Sequence, residues 1–149
     1  MKIKNKSFKD KNKKWLKRHV DDEFVQKSIS DNYRSRAAYK LVEIIEKYKI
    51  LNEAKNVIDL GSAPGSWCQV LKIYGKSLNS IIAVDILEME EIKGVTFYKS
   101  DFLSSEFEKI AKTIGEFDLV LSDISPNLSG NKVSDFLLSK DLVENALSY

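Results

Sequence analysis

Four segments carry residues suited to binding a small polar molecule, and each follows an apolar run. Residues 59–67 (DLGSAPGSW) place Gly61 and Gly65 four apart, directly after the apolar NVI. Asp85 follows SIIAV, Asp101 closely follows VTFYK, and Asp123 follows FDLVLS. Two glycines in one turn let the backbone bend tightly and approach a ligand. A turn of this kind feeding a helix presents free N–H groups and partial positive charge, which suit a carboxylate or phosphate. The spacing is G-x-x-x-G with Pro64 inside it, not the G-x-G-x-x-G of pyrophosphate-binding loops. An acid twenty positions after Gly65 suits the two hydroxyls of a ribose. Asp101 can accept from an adenine amino group with Phe102 packed against the base. Asp123 can face a sulfonium. One glycine loop and three carboxylates therefore fit an adenosyl ligand without phosphate better than a nicotinamide dinucleotide, and the ligand expected on this pattern is S-adenosylmethionine.

Alternating elements must position these residues. Apolar positions at three-to-four spacing predict a helix over 34–48, preceded by one or two short helices within 15–29. Strands are expected at 56–60, 80–85, 95–99 and 117–123. Helices are expected at 66–74, from a Ser105/Glu108 capping box to about 114, and over 135–147, the last amphipathic. This order predicts an α/β fold, a mostly parallel sheet with helices on both faces. Runs such as IIAV and LVL suit strands buried on both sides. In such sheets ligands sit at the carboxyl ends of the strands, where the glycine loop and the three acids fall.

Composition excludes several classes. The chain has 149 residues, 43% of them hydrophobic, about one domain's worth with a real core. It lacks an apolar run of about 18 residues and a secretory leader, so no membrane association is expected. One cysteine, Cys68, and one histidine leave no Cys/His zinc site, and no metal is expected. A reducing, cytoplasmic location is the expectation for so few cysteines. The charge is uneven. Residues 1–20 hold nine Lys/Arg and one acid, +8 locally, which leaves −6 on the rest of a chain whose net charge is +2. The division expected is a flexible basic arm over 1–14 and one folded domain over 15–149. The arm suits a polyanion such as nucleic acid, or is a solvated tail.

Residues 34–41 (RSRAAYKL), 59–67, Asp85, Asp101 and 122–130 (SDISPNLSG) together resemble the FtsJ/RrmJ ribosomal RNA 2′-O-methyltransferases over nearly the whole chain. The resemblance implies a Rossmann-like fold, S-adenosylmethionine as donor, and as acceptor a ribose 2′-hydroxyl, most often of uridine, in RNA of the large ribosomal subunit. It implies that Gly65 and Trp67 contact the methionine part, Asp85 the ribose, Asp101 the adenine, and that Asp123 lies near the methyl group. It also implies a catalytic Lys-Asp-Lys-Glu set whose first two members are Lys40 and Asp123. The second Lys and the Glu would lie on strands beyond Tyr149, so a longer protein is expected, with the fourth strand left as an apolar edge. Arg34, Arg36 and the basic arm are the candidates for RNA phosphates. Trp15 and Tyr39 are candidates for stacking on bases, or for packing. Competing readings are a non-catalytic RNA-binding module, a transfer RNA 2′-O-methyltransferase, and an amino-group methyltransferase suggested by the Asp-x-x-Pro stretch at 123–126.

Overall fold

The structure is a computed structural model that describes residues 22–124 and 130–149. The elements run α1 (Glu23–Ser30), α2 (Ala38–Tyr48), β1 (Asn56–Leu60), α3 (Ser66–Tyr74), β2 (Ser80–Asp85), β3 (Thr96–Lys99), α4 (Ser105–Ile114), β4 (Leu119–Ser122) and α5 (Lys132–Ala146). The four strands are parallel, in the order β3-β2-β1-β4. The expected alternating α/β architecture is therefore the observed one, with β4 at an edge.

Alternation along β1 and β2 explains why helices cover both faces. Val57 and Ile81 pack with Leu41 and Ile45 of α2 and Val70 and Leu71 of α3. Ile58, Leu60, Ile82 and Val84 point the other way, against Phe107 and Ala111 of α4, with Leu142 and Ala146 of α5 packed on that cluster. Both faces being buried, the strands read as continuous apolar runs. Full burial of each such side chain contributes about 1.5–3 kcal/mol. Asp59 falls on the α3 side of β1 and is 1% exposed.

Element boundaries depart from expectation at five places, the smallest being β3, which starts at Thr96 rather than Val95. The expected helix at 34–48 begins only at Ala38, because residues 34–37 make turns: the Arg34 N–H donates to the Gln69 side chain and the Ala37 N–H to Ser35 Oγ. The cap of α4 is Ser104, whose Oγ accepts the Phe107 N–H, rather than a Ser105/Glu108 box. The fourth strand is shorter than 117–123, running Leu119–Ser122, and the Asp118 carboxylate just before it accepts the N–H groups of Lys55 and Asn56. α5 starts three residues early, capped by Asn131, and is not cleanly amphipathic: Val133, Phe136, Leu137 and Val143 are exposed. Within 15–29, the described part is the single helix α1. Trp15 and the arm at 1–14 lie outside the described residues, as do 125–129 of the SDISPNLSG segment. Among the described residues no helix is long and apolar enough to cross a membrane, and no cluster of three His, Cys, Asp or Glu suits a metal.

Candidate active site

Register places the four loops at one edge. Leu60 pairs with Val84 and with Ser122, and Asp85 pairs with Lys99. Gly61, Asp85, Asp101 and Asp123 therefore emerge side by side, and all four line a cleft of about 690 Å³ with Leu87 and Leu103. Both leucines are exposed, offering an apolar surface next to the carboxylates.

The glycine loop is held by its neighbours. The Gly61 and Ser62 N–H groups both donate to the Val84 carbonyl, at 2.8 and 3.1 Å, and the Gly65 N–H closes a turn on Ser62 O at 2.7 Å. The Ala63–Pro64 peptide is cis. Gly65 has φ +101° and no room for a side chain: an added Cβ would lie 2.8–2.9 Å from Arg34 Nη1, Ile92 Cδ1 and Met89 Sδ. Gly65 also caps α3 without any side-chain acceptor, so the first-turn N–H groups of that helix remain available.

Asp85 accepts from the backbone on both oxygens, from Ala63 at 2.9 Å and Leu87 at 2.8 Å. Each oxygen keeps a lone pair for a further donor. Asp101 Oδ1 accepts the Leu103 N–H at 2.9 Å. Lys40 and Asp123, 83 positions apart, meet in an ion pair, with Lys40 Nζ 6.0 Å from the centroid of the Trp67 ring. Asp59 lies beneath the loop. Burial pushes its carboxyl up to about 7, with Asp85 and Asp123 adding to the rise and the Cys68 thiol, which donates to Oδ2 at 3.3 Å, opposing it. Burial, and then the Asp59 charge, push the Cys68 thiol far above its ordinary range.

Several expected site residues behave otherwise than their types suggest. The Trp67 indole is a core group whose N–H donates to the Ala37 carbonyl at 2.8 Å. Phe102 is mostly buried in the α4-side core, edge-on to Tyr149, and lines the same cleft as Asp101. Tyr39 packs against Tyr33 and Phe24 and donates to Asp31, the packing alternative. The Arg34 guanidinium donates to three carbonyls inside the protein, whereas Arg36 is exposed and paired with Asp22. Asp59, Ser66 and Arg34's internal partners escaped sequence reasoning. Only the unusual carboxyl in the middle of an apolar strand hinted at the first.

The FtsJ-like methyltransferase family model matches residues 33–149. A ribosomal RNA large subunit methyltransferase E of Psychrobacter cryohalolentis is 45% identical over 136 residues, 89% of this chain and 65% of the relative. The protein of the same name in Pseudomonas fluorescens is 46% identical over the same shares, and that of Acinetobacter baumannii 41% identical over 99% of this chain and 69% of its own length. The chain thus spans about two thirds of the length of these curated relatives. A crystal structure described as a ribosomal RNA methyltransferase from Plasmodium falciparum superposes with a TM-score of 0.66 at 34% identity, over 78% of this chain and 69% of that one. The four-stranded parallel sheet, the loops at its carboxyl edge and these matches agree: the chain belongs to the FtsJ-like methyltransferase family.

Proposed function

We propose that the protein methylates a ribose 2′-hydroxyl, that of a uridine, in large-subunit ribosomal RNA, with S-adenosylmethionine as donor. The observation that carries this reading is the Lys40–Asp123 pair at the cleft that also holds Asp85 and Asp101. The residues present fit the donor: the glycine loop turns into the N-terminus of α3, which no side chain caps, and Asp85 keeps lone pairs for two hydroxyls. Leu87 and Leu103 suit the faces of an adenine, with Asp101 at its amino edge. When bound, S-adenosylmethionine supplies an electrophilic methyl group on a positively charged sulfur.

The residues of this chain then act on the acceptor. A ribose hydroxyl is a weak nucleophile, and holding it in line with the methyl carbon can contribute several kcal/mol, up to about 7–11. Lys40, as an ammonium paired with Asp123, offers hydrogen-bond donors and positive charge to the hydroxyl oxygen and so favours its alkoxide character. Asp123 fixes the ammonium, and its negative charge also favours a cationic donor nearby. Exposed Arg36 and the basic residues of the first twenty positions are the phosphate contacts in this reading, and their binding weakens with salt. The names of the relatives support ribosomal RNA as the acceptor class.

The test uses the protein extended to the full length of its relatives, with methyl-labelled donor and ribosomal RNA. A 2′-O-methyl group protects the adjoining linkage, so the label should survive alkali in dinucleotides. Label in mononucleotides would place the methyl on a base and overturn the ribose assignment, and label found only with transfer RNA would move the substrate. Asp123→Ala should lower transfer by at least about a hundredfold.

A further inference from the structure

Arg34 stands out among the described cations by what it touches. Its side chain is only 20% exposed. Nη1 donates to Pro64 O at 2.9 Å and to Glu90 O at 2.8 Å, and Nη2 to Glu91 O at 3.2 Å. The one carboxylate paired with it, that of Glu90, is 3.7 Å away and 92% exposed, a weak, solvent-screened partner. The backbone is anchored as well: the Arg34 N–H donates to Gln69 Oε1 at 2.8 Å, and Gln69 Nε2 returns a bond to Asn32 O at 2.9 Å. One guanidinium thus ties three pieces of chain together: the segment before α2, the turn of the glycine loop, and the connection from β2 to β3.

The geometry matters because of Gly65. Its missing side chain is replaced by Arg34 Nη1, Met89 Sδ and Ile92 Cδ1, so the loop lies against the guanidinium itself. A planar fork with fixed donors can hold two separate carbonyl groups at once; a lysine ammonium of equal charge cannot reproduce that fork. We propose that Arg34 is a positioning residue that sets the glycine loop for the amino-acid head of the methyl donor, and that it is not a ligand for RNA phosphate. The inference rests on the donor reading above and refines it by dividing the two arginines of the RSR segment: Arg34 serves the donor, exposed Arg36 the acceptor.

The experiment titrates two probes into the 149-residue chain by calorimetry. S-adenosylhomocysteine carries the amino-acid head, and 5′-methylthioadenosine keeps the nucleoside but lacks it. Arg34→Lys should weaken S-adenosylhomocysteine by roughly tenfold or more, the scale of lost hydrogen bonds from a charged group, and leave 5′-methylthioadenosine within about twofold. Arg34→Ala, which removes the charge, should leave the salt dependence of RNA binding unchanged, while Arg36→Ala should reduce its slope by about one. If Arg34→Lys does not fold, Gln69→Leu, which frees the Arg34 backbone, carries the same test with the same selectivity. Equal weakening of both probes would reduce Arg34 to general scaffolding and overturn the proposal. So would unchanged binding of S-adenosylhomocysteine in Arg34→Lys, or a reduced RNA salt slope in Arg34→Ala. Failure of the folded wild-type chain to bind either probe would instead overturn the donor reading itself, and this inference with it.

Discussion

Asp59 shows what a single buried carboxyl does to a protein. Burial, joined by the nearby Asp85 and Asp123 charges and only partly offset by the Cys68 thiol, raises its titration to about 7. The folded state therefore holds a proton that the unfolded chain releases near its ordinary value of 3.8. The stability contributed by neutral Asp59 is complete below that value and is lost as pH rises through about 7. Asp59→Asn, neutral at every pH, should gain melting temperature relative to the wild type between pH 5 and pH 8. A difference that does not change with pH would show that Asp59 does not titrate in this window. At this scale the sequence was only partly legible. The three strand-end acids could be read from their positions after apolar runs, but Lys40 meeting Asp123 across 83 positions has no local signal and came only through the family resemblance. The partners of Arg34 were illegible for a related reason: they are backbone carbonyls, which no residue type announces.

At the scale of elements, the strands were the most legible part, because burial on both faces writes them as short apolar runs between turns. β1 and β2 fall where their residues predict. Helix starts were harder, since several polar residues compete to cap them. Ser104 and Ser105 are adjacent and chemically identical, and only the backbone decides that Ser104, extended at φ −77° and ψ 143°, takes the Phe107 N–H. Ser104→Ala should therefore cost about 1 kcal/mol in chemical denaturation, whereas Ser105→Ala, at a first-turn position, should cost much less. Equal costs would assign the cap wrongly. The helix expected from residue 34 failed for another reason. Its apolar periodicity is real from Ala38 onward, but residues 34–37 make turns that dock the chain onto α3 through Gln69 and Ser66.

For the whole molecule, the order β3-β2-β1-β4 puts an apolar strand at the edge, and α5 beside it leaves Val133, Phe136, Leu137 and Val143 exposed. Such surface favours association between chains. The apparent mass of the 149-residue chain from light scattering should rise with concentration, and Phe136→Glu should reduce that rise without affecting donor binding; a mass independent of concentration would contradict the expectation. At the carboxyl ends of the strands, where the loops emerge, Gly61, Asp85, Asp101 and Asp123 line one cleft, the proposed adenosyl site. Calorimetry of S-adenosylmethionine with the wild-type chain and with Asp85→Ala tests it most directly. The account predicts one donor molecule bound per folded chain, and at least a tenfold loss, more than about 1.4 kcal/mol, in the variant. A folded wild-type chain that binds no donor, or an Asp85→Ala chain that binds it equally well, would contradict the account.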